Sequence, residues 1–562
     1  MVTARLLFST LSVLALGTAA LSAADPAAER LGWWREAKVG LAIAWGPVAV
    51  TGGAHGGATG YGEGLLAATK MPLADYRAIA QRFNPTAADP AVWVRMAKDA
   101  GLRYVVLSAK HVDGFALWPS AASTWDIADA SPYGQDLVEP LAKAARQEGL
   151  RLGLHYSQAQ DLMHPGGAKP GTEDGGGWDD GHRGRFDDYL AQVAVPQVQE
   201  LLARYQPDLL WWDTPILMTP ARAGLFTALL TKHPPVLTNN RLGGNQAGDF
   251  TSISGIVPLT VPPAKAFEVR LNVGRFTTFN ATDTEFTSAS DLIRRTAEVA
   301  SQGGNLLLGV APDAAGRIPT PVAERLGDLG RWLRLHGEAI YGTEAGPFPR
   351  LPWGCVTRKD ERLYLHVLAW PKDGRLRFPL ASGVTGAHLL ATPDTALVIT
   401  KDASGLVITV PATPVDARNT VIVVTLDGQP QALPLVTVGA TVEATVSEDG
   451  QPVTNILDRN ASRRWMAPVG AAEAQVTITL AKPEKLAALA LDEPDVWPRL
   501  RQHLRVEADS GNGQWITIGK EVTTGIGAFV ELRQVTTKRL RLTLANPKSR
   551  LGLAEVVVLR AD

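Results

Sequence analysis

Between about residue 30 and residue 345 the chain repeats one unit, a short apolar run followed by a longer stretch whose apolar residues recur every three or four positions. Residues 39–43, 104–107, 152–156 and 209–212 read as strands, and residues 90–100, 137–148 and 189–205 read as amphipathic helices. A strand that is apolar throughout needs cover on both faces, and intervening helices supply it. Repeated β-then-α units over roughly 300 residues predict an α/β fold of the (β/α)8 TIM-barrel type. A doubly wound sheet is the structural alternative. No G-x-G-x-x-G opens a helix after a first strand, so dinucleotide binding has little support.

At 562 residues the chain exceeds one core. Its texture changes after Tyr341-Gly342-Thr343, and residues 348–428 carry short alternating runs broken by Gly, Pro and Asp, which predicts a small β-sandwich. Residues 429–435 form a linker with two prolines, and residues 436–562 form a second β-rich unit whose clearest strands are 475–480 and 539–544. At the start, Arg5 precedes apolar residues 6–16, and Ser22-Ala23-Ala24 offers small residues for cleavage. Residues 1–24 therefore read as a signal peptide ahead of a barrel over 25–347, and the protein is expected to be secreted or periplasmic. No segment is long enough to span a bilayer securely. Cys355 is the single cysteine, so neither an intrachain disulfide nor a cysteine metal site is available. A net charge of -1 leaves no electrostatic footprint for nucleic acid or an anionic membrane.

A barrel performs its chemistry at the C-terminal ends of its strands. The run Pro207-Asp208-Leu209-Leu210-Trp211-Trp212 ends in Asp213, with Thr214-Pro215 beyond, so Asp213 is a candidate catalytic carboxylate. Capping the next helix is its other reading. The two tryptophans favour a site for a sugar, because aromatic rings suit the apolar faces of sugars. Hydrolysis of a glycosidic bond usually needs two carboxyl groups, so a second must come from elsewhere.

Several short segments, taken in order, carry a resemblance. They include Lys38-Val39-Gly40-Leu41-Ala42-Ile43-Ala44-Trp45-Gly46-Pro47, Arg82-Phe83-Asn84-Pro85, Lys110-His111-Val112-Asp113-Gly114-Phe115, Trp211-Trp212-Asp213, Asn239-Asn240-Arg241, Gly303-Gly304-Asn305 and Gly337-Glu338-Ala339-Ile340-Tyr341-Gly342. Residues from about 33 to 345 thereby resemble the catalytic domain of glycoside hydrolase family 29, the α-L-fucosidases. The resemblance implies an exo-acting, retaining hydrolase that releases terminal α-L-fucose or a related α-L-sugar, with Asp213 as the nucleophile of a covalent glycosyl intermediate.

The match is uneven. Ala44 stands where the family has a histidine before Trp-Gly, Glu63-Gly64 where it has Glu-Trp, and His111-Val112 where it has paired histidines. Ile253 stands where many members carry a glutamate, the acid/base in several of them. The resemblance leaves Glu268, in Ala266-Phe267-Glu268-Val269, as the expected acid/base; its other reading is a structural glutamate pairing with Arg241 or Arg270, and Glu63 and Glu285 are weaker candidates. His111, His155, Tyr156, Trp45, Glu63, Trp211 and Arg241 are the expected substrate-binding residues, and His164 lies in a Gly-rich loop with a contact to substrate as one role. No H-E-x-x-H or similar spacing is present, so no catalytic metal or other cofactor is expected.

In the last unit, Asn455-Ile456-Leu457-Asp458 with Arg464-Trp465, and later Val506-Glu507-Ala508-Asp509-Ser510 with Trp515, resemble discoidin (F5/8 type C) domains. That resemblance implies a jelly-roll β-sandwich able to bind a polysaccharide and to hold a structural calcium through loop oxygens. The erased sugar-gripping positions leave two alternatives to fucose hydrolysis, a changed sugar specificity and a carbohydrate-binding protein without turnover.

Overall fold

A computed structural model describes residues 26–168, 177–233, 235–255, 257–402, 405–460, 463–494, 500–524, 528–548 and 550–561. The expected signal peptide at 1–24 lies outside the described residues. Eight strands make one parallel sheet: β1 (Val39–Ile43), β2 (Tyr104–Lys110), β3 (Arg151–Tyr156), β4 (Leu209–Trp212), β5 (Leu237–Thr238), β6 (Thr251–Ser254), β7 (Phe267–Asn272) and β8 (Asn305–Val310). Their spatial order is β5-β4-β3-β2-β1-β8-β7-β6, the chain order wrapped into a ring. A parallel bridge between Asn239, just past β5, and Phe250, just before β6, brings the two edges together. The longer helices are α1 (Pro26–Ala37), α2 (Pro90–Asp99), α3 (Val138–Glu148), α4 (Val195–Tyr205), α5 (Pro220–Leu230), α6 (Ala289–Ser301) and α7 (Thr320–His336).

Alternation along the strands sorts their apolar residues into two cores. Ala42, Tyr104, Val106, Leu209, Trp211, Leu237 and Leu307 gather inside the ring with Leu31 and Trp34 of α1, which plugs its lower end. Leu41, Ile43, Val105, Leu107, Leu210, Trp212, Leu306 and Leu308 face outward into the core shared with the helices. Gly40 on β1 is required by this arrangement, because a Cβ there would lie 2.4 Å from the Tyr104 ring. The helix expected over 189–205 is interrupted. It opens as Phe186–Tyr189, passes through one π turn at Leu190–Ala194 and resumes as α4. Pro196 has no N–H to donate one turn back, which accounts for the break beside it.

Two antiparallel β units follow. The first pairs a six-stranded with a three-stranded sheet around Val356, Leu365, Phe378, Leu406 and Ile422. Its sheet begins at Glu344–Ala345, which pairs with Thr357 and Arg358, a little ahead of the expected boundary. The second unit is a seven-stranded sheet built on the long strands Glu473–Asp492 and Ala528–Ala545, with a core of its own. Ala488, Ala490, Val557 and Leu559 of that sheet pack into the core of the first unit. Cys355 is buried between barrel and sandwich, and burial pushes its thiol up to about 12, so it is inert. Among the described residues no helix is long and apolar enough to cross a membrane.

Candidate active site

Asp213 leaves the C-terminal end of β4. Its backbone N–H donates to Gln158 Oε1 at 3.0 Å. The preceding Trp212 is clamped by Asn239, which accepts from its N–H at 3.0 Å and donates to its carbonyl at 2.9 Å. Gln158 Nε2 also donates to the carbonyl of Arg241 at 2.8 Å. The main chain under the carboxylate is therefore fixed by amides from two neighbouring strand ends, while Oδ2 itself has no hydrogen-bond partner.

Around that free oxygen stands a row of polar side chains. His155 points inward from β3 and brings Nε2 to 3.7 Å from Asp213 Oδ2, too far for a hydrogen bond. Its ring lies between those of His111, 4.8 Å away, and Trp211, 5.3 Å away, and both its nitrogens are buried without a partner. His111 follows directly on β2, and its Nδ1 accepts the N–H of Val112 at 2.9 Å, which leaves Nε2 to carry the ring proton. Glu63 arrives from the short 3-10 turn Gly62–Gly64 after β1, with Oε2 at 3.8 Å from His111 Nδ1 and Oε1 buried and unpartnered. On the other side, the guanidinium groups of Arg241 and Arg270 lie 5.4 and 5.6 Å from the centre of the Trp211 ring.

Burial opposes ionisation of Asp213, but His155, His111 and Arg241 outweigh it and hold the carboxyl well below the usual carboxylate range. Burial also pushes His155 down to about 4, against the pull of Asp213, so at neutral pH it faces the carboxylate as an uncharged ring. Burial raises Asp113, behind Glu63, to about 6, and Tyr76 donates to its Oδ2 at 2.7 Å.

Of the residues expected at the site, Asp213, His111, His155, Glu63, Trp211 and Arg241 come together here, and the others are corrected. Glu268 is fully buried inside the ring, where Tyr104 donates to one carboxylate oxygen at 2.6 Å and Trp211 to the other at 2.9 Å. It lies on the far side of the Trp211 ring, in the plugged interior, and cannot deliver a proton to a substrate at the mouth. Its partners are thus aromatic donors rather than the arginines. Tyr156 is one residue past His155 and points the opposite way, its hydroxyl donating to Gln197 Oε1 at 2.8 Å under the helices. Trp45 is core, packed edge-on against Phe83 and Trp93, with its Nε1 donating to the carbonyl of Asp313 at 2.8 Å. His164 is a loop pin between Asp161 Oδ2, at 2.9 Å, and Ser123 Oγ, at 2.6 Å. Glu285 is exposed in an ion pair with Arg275.

Gln158 has no signal in the sequence, while Asn239 stands there only in a family segment and Arg270 only as a candidate partner of Glu268. Arg270 was within reach, because Glu268 and Arg270 are two apart on one strand and so share its inner side. The gathering of His111, His155 and Asp213 was not: one ligand atom from each lies within 4.8 Å of the others, the one such group of three among the described residues. Three separate strand ends supply them, so no local spacing announces it.

Residues 21–338 match the family model described as Alpha-L-fucosidase. The chain belongs to the α-L-fucosidase family. It is a glycoside hydrolase. An α-L-fucosidase of Branchiostoma floridae is 28% identical over 419 residues, which cover 67% of this chain and 88% of that protein. The α-L-fucosidase isoenzyme 1 of Paenibacillus thiaminolyticus superposes with a TM-score of 0.64 at 30% identity, covering 72% of this chain and all of that one. The α-L-fucosidase of Vibrio sp. strain EJY3 superposes with a TM-score of 0.71 at 22% identity over 92% of this chain and 94% of its own. That last likeness extends the shared fold into the C-terminal β units.

Proposed function

We propose that this family member is an exported, retaining exo-glycosidase that releases terminal α-L-fucose or a related α-L-sugar. The observation that carries the reading is the unpaired Oδ2 of Asp213, held ionised at the strand end and faced by the unpaired nitrogens of His155, with the unpaired Oε1 of Glu63 beside His111 next in the row. Asp213 attacks the anomeric carbon as the bond to the leaving oxygen breaks, and Glu63 gives that oxygen its proton. Water then displaces Asp213 and returns a proton to Glu63. Glu63 takes this role because Glu268 and Glu285 are committed elsewhere and Asp113 is held by Tyr76. His111 and His155 are suited to sugar hydroxyls, and the reaction so written needs no cofactor. The apolar residues 6–16 and the small residues after them support export.

Aryl α-L-fucosides test this directly. A very acidic phenol leaves without help, so Glu63→Gln should keep the first-turnover burst of phenol from its fucoside, with slow release of the glycosyl enzyme afterwards, while losing about 10²-fold or more in kcat/KM on a poor leaving group. Asp213→Ala should lose both. Equal rates for Glu63→Gln and the parent enzyme on the poor leaving group would remove Glu63 from the mechanism.

A second reading, a sugar carrying an added substituent, is favoured at one point: a Cβ on Gly64, where the family has a tryptophan, would meet nothing within 4 Å. For the terminal unit we propose a structural calcium. Its support is the resemblance of this unit to discoidin domains, together with Glu555, whose two carboxylate oxygens are buried without a hydrogen-bond partner. Removal of calcium by a chelator should then lower the melting temperature, and Glu555→Gln should abolish that response.

A further inference from the structure

We infer that Asp492, at the end of a long strand in the terminal β unit, is a positioning residue for the active site of the barrel. Its carboxylate is buried and accepts from the backbone N–H of Leu259 at 3.0 Å and of Thr260 at 3.1 Å, and from the Thr260 hydroxyl. Leu259 and Thr260 lie in the segment that leaves the upper end of β6. The other polar group of Leu259 is also held from outside the barrel, because its carbonyl accepts the N–H of Arg350 at 2.8 Å. Arg350 in turn lies 4.6 Å from the ring of Phe529, another residue of the terminal unit.

The near end of the same segment touches the two arginines beside Asp213. Ser254 Oγ accepts from Arg241 Nη2 at 2.9 Å, and the N–H of Gly255 donates to the carbonyl of Arg270 at 2.9 Å. These are the two arginines whose guanidinium groups lie over Trp211 and whose charges act on Asp213. A buried carboxylate with three donors is costly to disturb, since loss of the acceptor strands those donors away from water. The segment is thus fixed at one end by the terminal unit and at the other by the arginines, and the β unit belongs to the site's framework instead of being a tethered appendage.

The inference rests on the reading of Asp213 as the attacking group, and two measurements keep them separable. In the full chain, Asp492→Ala should raise KM for an aryl α-L-fucoside about 5-fold or more with a smaller change in kcat. Asp492→Asn, which retains one acceptor, should recover most of that loss. Val557→Ala, which loosens the packing between the two β units, should lower the melting temperature without moving KM. Independently of turnover, Asp492→Ala should speed amide hydrogen exchange in β6 and β7 at a temperature where the enzyme is folded. Unchanged exchange in β6 and β7 would overturn the inference whether or not the enzyme cleaves fucosides. An active parent enzyme whose KM is the same in Asp492→Ala would overturn it as well.

Discussion

At the scale of single residues, the site shows how orientation outranks residue type. Glu268 and Glu63 are both glutamates in segments that resemble the same family, and only Glu63 meets the mouth. The hydrogen bonds of Glu268 define what its replacement should do. In Glu268→Gln the amide oxygen can accept from Trp211 Nε1, and its NH2 can donate to a Tyr104 hydroxyl that turns round. We expect that variant to keep kcat within about 3-fold and stability within about 1 kcal/mol. Glu268→Leu leaves two buried donors without an acceptor and should cost about 1 to 3 kcal/mol for each. Chemical denaturation of the two variants, with turnover of an aryl fucoside, checks both outcomes. A 100-fold loss of kcat in a fully folded Glu268→Gln would return this carboxyl to the chemistry.

At the scale of elements, the barrel was legible because its signal repeats. Apolar strands and amphipathic helices alternate along the chain, and the carboxylate that closes one of the strands sits at the C-terminal end of the ring. The strict inward and outward alternation within each strand was legible too, yet it had to be applied consistently. His155 and Tyr156 cannot both line one pocket, and Trp211 and Trp212 face opposite cores. What the sequence could not display was the packing that crosses strands, such as the amides of Gln158 and Asn239 around Asp213, since each depends on a register set by the whole ring. Gly40 offers a test of that register. A methyl group there would meet the Tyr104 ring at 2.4 Å, so Gly40→Ala should destabilise the barrel by about 1 to 3 kcal/mol through overpacking. Coupling it with Tyr104→Leu should return part of that loss, and purely additive effects in the double variant would argue against the contact.

At the scale of the whole molecule, barrel and sandwich share a buried interface, and His366 makes it sensitive to acid. His366 sits on the sandwich strand Arg362–Val367 and contacts Trp332 of α7, with ring centres 6.3 Å apart. Thr357 Oγ1 donates to the carbonyl of Ala339 at 2.7 Å, so the same oxygen accepts from His366 Nε2 at 3.1 Å, and His366 Nδ1 accepts from Asn419 Nδ2 at 3.3 Å. A second ring proton would point at a donor. Burial, aided by the charge of His336, pushes the imidazole down to about 3. In the unfolded chain a histidine takes up its proton near 6.5, so as the pH falls the unfolded state gains protons that the folded state refuses. The contribution of His366 is therefore complete above about pH 6.5 and declines toward pH 3, by about 1.4 kcal/mol per pH unit at the steepest. His366→Gln should be less stable than the parent at pH 7, with the gap narrowing steadily as the pH is lowered to 4. Denaturant midpoints of the two proteins measured across that range decide it, and a gap that stays constant would show that His366 is protonated in the folded interface.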